Sequence, residues 1–288
     1  MTHETGPTAS VFEEAIAVIR GGLGKAELEF VGSLTAPFFW ILRDSSSGNE
    51  MVKNGSLFFL DAGKGAFAVT AAHVVTECLN DTKSPMFVQC MIGRHGKVAH
   101  AFHLGDRIID AHRDIDLATL RFSPAEVETI GRTVLTGFQK MWPPRLAEVD
   151  GGVTYCGFPG KGTRWLALRQ ISFGCVPMAG IATSTHETSI SIQIEREKMM
   201  RVLGDEDMPE NFDFGGMSGG PVLAIVETGT FRSWKPAGVI IQGPNPSGDP
   251  AESILGLEII RARPVHFINP DGTLDVARWN DCNPLSFA

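Results

Sequence analysis

The segment 215–221, Gly-Gly-Met-Ser-Gly-Gly-Pro, constrains the fold of this chain more than any other stretch. It places Ser218 among four glycines. Glycine loses more backbone freedom on ordering than other residues, which disfavours the interior of a helix or strand. A tight glycine turn can instead hold a hydroxyl outward and direct nearby N–H groups at one point, as nucleophilic catalysis and oxyanion binding require. Ser218 is therefore the candidate nucleophile.

A serine nucleophile needs a base, and the base needs an orienting group, usually a carboxylate. His73 follows a predicted strand and the small-residue turn Thr70-Ala71-Ala72, and it is the candidate base. Asp116 directly precedes the apolar stretch 117–120, where a carboxylate can be partly buried, and it is the candidate orienting acid. Asp114 remains an alternative, because a one-residue register change could place either acid.

These three motifs, in the chain order His, Asp, Ser, resemble the trypsin-like serine peptidases. The three motifs are more similar to those of bacterial HtrA-like and other non-zymogen members than to those of digestive enzymes. The resemblance covers most of residues 28–268. It implies an all-β fold of two six-stranded antiparallel β-barrels of the chymotrypsin type, with a short N-terminal helix and a C-terminal helix. It also implies an oxyanion hole built from the N–H groups of Gly216 and Ser218.

The organisation expected along the chain has five segments. The chain has 32 glycines and 17 prolines, and turn-rich segments separate the predicted strands. Helical periodicity is sparse, apart from a helix that begins with a capping box and is predicted between Ser10 and Ile19. The segments are an N-terminal helical extension (1–25), a first barrel carrying His73 and Asp116 (26–122), a connector (123–150), a second barrel carrying Ser218 (151–260) and a C-terminal segment (261–288).

The resemblance also implies the walls of the primary substrate pocket. One wall comprises Phe212, Asp213, Phe214 and Gly215, and the other comprises Ile241, Gln242 and Gly243. Asp213 could select Lys or Arg by charge pairing, which is the interpretation slightly favoured here. Alternatively, the two phenylalanines fill the pocket and select small or apolar side chains.

Met217 departs from the pattern of peptidases that are activated by proteolysis. Those relatives carry an aspartate before the serine, which pairs with a newly freed N-terminal amine, and methionine cannot form that ion pair. We therefore predict a chain that is active as made, or one gated by loop ordering or by a regulatory protein partner.

Other classes of function have little support in the sequence. The histidines around position 100 lack a ligand spacing that suits a predicted strand, and 160–163 is an incomplete phosphate loop, so neither a metal nor a cofactor is expected. A formal net charge of −8 argues against nucleic acid as the main partner. The start of the chain lacks a signal-peptide pattern, no apolar run could span a membrane, and five irregularly spaced cysteines do not suggest a disulfide framework. These features predict a cytoplasmic, bacterial-type protein.

The function expected from the sequence is that of a serine endopeptidase, acting on protein or peptide substrates through an acyl-enzyme intermediate. Two alternatives stay open. One is a catalytically silent trypsin-like module that binds a partner through its cleft, and the other is an esterase that uses the same triad.

Overall fold

The computed structural model describes residues 22–44, 46–94, 96–160, 163–165, 171–195, 199, 202, 212–229, 231–244 and 258–283. The helix expected between Ser10 and Ile19 lies outside these residues. Across the described ranges, no helix combines the length and the apolar character needed to cross a bilayer.

The first part of the chain is built from strands with three interspersed helices. In chain order these elements are α1 (Gly24–Leu34), β1 (Thr35–Arg43), β2 (Glu50–Asp61), β3 (Ala66–Thr70), α2 (Ala72–Asp81), β4 (Phe87–Arg94), β5 (Lys97–Phe102), β6 (Ile108–His112), β7 (Leu117–Arg121), α3 (Pro124–Ile130) and β8 (Val134–Leu135). A single 3-10 turn at Gln139–Met141 follows within the predicted connector.

The second part is almost entirely strand. Its elements are β9 (Gly152–Gly157), β10 (Arg164–Trp165), β11 (Ile171–Ser172), β12 (Val176–Thr185), β13 (Ile190–Ile194), β14 (Pro221–Thr228), β15 (Phe231–Gln242), β16 (Glu258–Pro264), a 3-10 turn at Val265–Phe267, and α4 (Val276–Cys282). The expected C-terminal helix is thus present as α4.

A closed six-stranded antiparallel barrel forms the second half of the molecule. Its strands follow the order β12-β13-β16-β15-β14-β9, and closure leaves no unpaired edge within the ring. Alternate residues point inward, as in β13, where Ile190, Ile192 and Ile194 are buried and the residues between them are half-buried. The sequence prediction of a six-stranded second barrel agrees with this architecture.

The first half is an open sheet, and the prediction of a closed first barrel is wrong here. Its strands follow the order β5-β4-β1-β2-β3-β7-β6, with β8 added in parallel beside β2. After β5 the chain turns at Leu104, whose carbonyl accepts the Arg107 N–H. Arg107 then forms a bidentate pair with Glu126 at 3.0 and 2.7 Å. Because β5 and β6 are separated by this turn and do not pair, the ring does not close.

Strand β2 joins the two halves because both of its faces are buried. Leu57 and Phe59 pack into the core of the open sheet. Phe58 and Leu60 point the opposite way into a second core, which also holds Leu223 and other residues of the barrel. This explains the continuous apolar run in the sequence, which is typical of a strand with no solvated face.

Helix α1 occupies residues that the sequence analysis assigned to the start of the first barrel. Leu28, Val31 and Leu34 are buried on one side of the helix. Glu27 is also buried, and its carboxylate accepts a hydrogen bond from Arg232 of β15. The helix is therefore fixed to the barrel by an apolar stripe and by an ion pair whose acid is buried.

Candidate active site

His73 stands in the first turn of α2, immediately after β3 ends. Val74, Val75 and Cys78 of this helix are buried in the core of the open sheet and fix its orientation. The imidazole lies on the opposite side and keeps 46% of its surface exposed. The helix thus presents a half-exposed imidazole from a rigid support.

Asp116 contacts His73 at two points. Its Oδ2 lies 2.8 Å from His73 Nδ1, and its Oδ1 accepts the backbone N–H of His73 at 2.9 Å. The same carboxylate therefore orients the imidazole and satisfies an N–H at the start of α2. Asp116 has a φ of 57°, a left-handed conformation that aspartate tolerates better than most residues. Asp114 is exposed, so of the two acids it is Asp116 that lies against the histidine.

Arg263 supports the segment that carries Asp116, and the sequence analysis missed it. Its Nε donates to the carbonyl of Ile115, and a second guanidinium N–H donates to Thr188. The guanidinium also lies 4.5 Å from the ring centre of Trp279. Burial lowers the pKa of Arg263 to about 10, and the nearby Asp116 carboxylate opposes that shift. Arg263 therefore remains a cation at neutral pH, behind the acid.

The turn that carries Ser218 is held almost entirely by main-chain contacts. The Ser218 carbonyl accepts the N–H of Ser56 at 2.8 Å, and the Gly219 N–H donates to Ile240 at 2.7 Å. Gly219 has a φ of +92°, and a Cβ at this position would lie 2.0 Å from Ser56 O. A Cβ on Gly220 would lie 1.9 Å from Cys156 O. The glycines are required because the backbone of the turn touches the backbones around it.

The peptide units before Ser218 leave two N–H groups open. The Gly215 carbonyl accepts from the Gly160 N–H at 2.6 Å, and the Met217 carbonyl accepts from the Gly220 N–H at 3.0 Å. In a trans peptide the N–H points opposite to the carbonyl, so the Gly216 N–H is directed away from Gly160. Within the part of the chain that the structure describes, neither the Gly216 N–H nor the Ser218 N–H donates a hydrogen bond. Both donors are available to an oxygen of a ligand.

Gly55 is the point at which Ser218 approaches the helix of His73. A Cβ built on Gly55 would be 2.6 Å from Val74 Cγ1 and 3.3 Å from the Ser218 carbonyl oxygen. The structure therefore brings Ser218 next to the residue that follows His73. Among the described residues, no hydrogen bond joins Ser218 Oγ to the imidazole. Catalytic hydrogen bonds are often long in unliganded proteins and shorten when substrate binds.

The residues predicted to line the primary pocket divide between surface and core. Phe214 is buried in the barrel core, and its ring meets Phe212 edge-on with centroids 5.0 Å apart. Asp213 is half-buried, and its Oδ1 accepts the Gly215 N–H at 2.9 Å. A Cβ on Gly243 would lie 2.8 Å from Phe214 Cβ, so the two predicted walls meet there.

The other two residues of the predicted second wall differ from each other. Ile241 is half-buried and packs against the core of the open sheet. Gln242 is exposed, and its Oε1 lies 3.5 Å from an Arg261 nitrogen.

Met217 is buried in the barrel core beneath the turn. A Cβ on Gly157 would lie 2.6 Å from Met217 Cα, so the strand end and the turn are in close contact. The methionine thus anchors the turn by packing.

An open cleft of about 670 Å³ lies beside the imidazole. Its lining includes groups of both charge signs from α2 and from the segment before Asp116. The lining residues are His73, Thr76, Glu77, Asn80, Arg113 and Asp116. A peptide or another polar ligand could therefore lie against the exposed face of His73.

Similarity to known proteins is found in structure and not in sequence. No protein-family model matches the chain, and no curated protein matches its sequence. Among solved structures, the active form of the Rv3671c protease from M. tuberculosis is similar over 86% of this chain and 81% of that one, with 13% sequence identity and a TM-score of 0.37.

Proposed function

We propose that this chain is a serine endopeptidase of the chymotrypsin type, with Ser218 as nucleophile, His73 as general base and Asp116 as the orienting acid. One arrangement carries the proposal. An imidazole is bound to a carboxylate through Nδ1, and Val74, the next residue, packs at Gly55, where the Ser218 carbonyl also approaches. Two N–H groups of the glycine turn around Ser218 have no acceptor among the described residues. A purely structural histidine would not require the second feature.

The proposed reaction follows from this geometry. The Asp116 contact favours the tautomer with a proton on Nδ1, which leaves the Nε2 lone pair to accept the Ser218 proton as Oγ attacks the peptide carbonyl. The N–H groups of Gly216 and Ser218 stabilise the negative oxygen of the tetrahedral intermediate, and one such donor is typically worth about a hundredfold to a thousandfold in rate. The imidazolium then protonates the leaving amine, and water hydrolyses the acyl-enzyme.

The packing of Met217 bears on how activity is controlled. The buried thioether of Met217 carries no negative charge, so a newly freed N-terminal amine would find no ion-pair partner at this position. We expect the full-length protein to be active without cleavage.

Substrate selection is also part of the proposal. One oxygen of Asp213 is already used by the Gly215 N–H, which fixes the carboxylate and leaves the other oxygen to pair with a basic side chain. This supports the preference for Lys or Arg. Because Phe214 is buried in the core, it supports the alternative apolar pocket less well.

Hydrolysis by purified full-length protein tests the proposal. Wild type and Ser218→Ala are compared on a peptide library and on matched ester substrates, with thermal unfolding to verify that both are folded. We expect peptide cleavage after basic residues by wild type and none by the variant. Cleavage of esters alone would support the esterase alternative. Equal turnover by the two proteins would rule out Ser218 as the nucleophile.

The silent binding module is the second candidate, because no hydrogen bond joins Ser218 Oγ to His73 in the described residues. That alternative predicts no turnover of any substrate by wild type. It also predicts that binding of a partner is unaffected by Ser218→Ala.

A further inference from the structure

Two cysteines of the barrel face each other at its surface. Cys156, near the end of β9, is fully buried, whereas Cys175, just before β12, is exposed. Their sulfur atoms are 3.2 Å apart and share a thiol hydrogen bond. The β-ladder explains the contact. Pro177 is the register partner of Cys156, and Cys175, two residues earlier, points to the same side of the sheet.

The surroundings make Cys175 the more reactive of the two thiols. The hydrogen bond from Cys156 and the positive charge of Arg132 lower the pKa of Cys175, although partial burial of the thiol opposes them. Burial raises the pKa of Cys156 well above its ordinary value, so Cys156 keeps its proton and donates it. A low-pKa, accessible thiol beside a second cysteine is the arrangement found in redox-sensitive pairs.

The pair borders the turn that carries Ser218. The residues after Cys156 form its rear wall, where Gly157 packs on Met217 and the Gly160 N–H binds the Gly215 carbonyl. The Phe158 N–H donates to Ser56 Oγ, and its carbonyl accepts from Asn54. A covalent link at Cys156 would therefore act on the segment that shapes the two open N–H groups.

We propose that Cys156 and Cys175 form an oxidation-sensitive dithiol, which a hydroperoxide converts into a disulfide beside the Ser218 turn. Two observations carry this. The sulfurs are 3.2 Å apart and need to approach by roughly 1 Å to reach bonding distance, and Cys175 is an exposed residue with the Arg132 cation nearby. The other close pair, Cys78 and Cys90, is wholly buried in the core of the open sheet and serves as an internal contrast.

The chemistry balances with a hydroperoxide as the only oxidant. The Cys175 thiolate attacks one peroxide oxygen, so an S–O bond forms, the O–O bond breaks, and hydroxide leaves (alkoxide for an organic hydroperoxide) and takes the Cys156 proton. The Cys156 sulfur then attacks the Cys175 sulfenic acid, an S–S bond forms, and hydroxide leaves and is protonated to water. Two thiols lose two electrons in total, and the peroxide gains them.

The test uses the full-length, reduced protein treated with hydrogen peroxide and then unfolded and alkylated. We expect two of the five thiols to escape alkylation, a mass decrease of about 2 Da in the oxidised chain before alkylation, and full recovery after dithiothreitol. A non-reducing digest should contain a peptide pair joined through Cys156 and Cys175. Amide exchange should slow in residues 157–160 and 215–220, because the new bond restrains the wall that these residues share.

Matched variants separate this outcome from general oxidation. Cys175→Ser should abolish the loss of paired thiols, while Cys282→Ser, which removes the other solvent-accessible thiol, should leave it intact. Arg132→Gln should slow the reaction several-fold, since less thiolate is present at neutral pH. Retention of all five thiols, a Cys78–Cys90 link, or direct conversion of Cys175 to sulfinic acid would overturn the proposal. These readouts do not require peptidase activity, so their failure is distinct from failure of the proposed function.

Discussion

The two halves of the molecule hold their parts of the candidate site by different means. In the open sheet, side chains do the positioning, because the Asp116 carboxylate contacts both the imidazole and the backbone of His73, and Arg263 binds the carbonyl before it. In the closed barrel, Ser218 is positioned by main-chain contacts that exclude side chains at Gly219 and Gly220. Substitutions in the first half should therefore change the hydrogen bonds and charge around His73, whereas substitutions in the second half should change the backbone conformation of the Ser218 turn.

The largest effect is expected from Gly219→Ala. The added Cβ would be 2.0 Å from Ser56 O and 2.2 Å from Thr70 Oγ1, in addition to the strain of a positive φ. We expect a loss of about 4 kcal/mol or more in the free energy of unfolding, and no turnover. Urea denaturation measures the first quantity.

Gly229→Ala is the matched control for this prediction. Gly229 also has a positive φ of +61°, but a Cβ there would meet nothing within 4 Å. Gly229→Ala should lower the free energy of unfolding by only about 1 kcal/mol, because the positive φ is its one source of strain. If the two variants were equally stable, the main-chain packing described for the Ser218 turn would be wrong.

Asp116→Asn should leave the fold intact but lower kcat by about a thousandfold to ten-thousandfold, because the amide can stabilise the wrong imidazole tautomer. Steady-state kinetics on a cleavable peptide measure it. Asp114→Asn, at the exposed neighbouring acid, is the control and should change kcat less than twofold. A large fall for Asp114→Asn together with a small one for Asp116→Asn would reverse the assignment.

The smallest effect concerns the ion pair between Arg107 and Glu126 in the open sheet. The paired Arg107 guanidinium lowers the pKa of Glu126 to about 2. A depressed carboxyl pKa stabilises the fold above the unfolded pKa, near 4.5, and this stabilisation is lost as pH falls towards 2. Because the pair is partly solvated, Glu126→Gln should cost about 1 kcal/mol or less at pH 7.

Unfolding measured from pH 7 to pH 2 checks this prediction, with Glu128→Gln, an exposed acid of the same helix, as control. The difference between wild type and Glu126→Gln should vanish at the acid end. A difference independent of pH would show that the ion pair is not its source.

The sequence predicts a structural element well where that element is determined by residues close to one another in the chain. The turn around Ser218, the hairpin of β2 and β3, and the barrel strand Ile190–Ile194 were predictable because glycine content and two-residue alternation are local signals. The contact of His73 with Asp116 rather than Asp114 depends on register and on a left-handed residue, which sequence patterns do not determine.

The sequence does not predict features that depend on contacts between residues far apart in the chain. The turn between β5 and β6 carries Arg107, whose partner Glu126 lies 19 positions further along the chain. The apolar residues of helix α1 occur at helical spacing. Its buried Glu27, however, is accounted for by an ion pair with Arg232, 205 positions away. Arg263 binds a carbonyl 148 positions distant, so nothing near it in the sequence indicates its place behind Asp116.

The central claim is that Ser218 is a nucleophile activated by His73, and covalent labelling tests it most directly. Intact full-length protein is treated with a fluorophosphonate, and the adduct is counted and located by mass spectrometry. We predict one adduct per chain on Ser218, without prior cleavage of the N-terminus, and none in His73→Ala or Ser218→Ala. An unlabelled wild-type protein that is demonstrably folded, or an adduct on another serine, would contradict the claim.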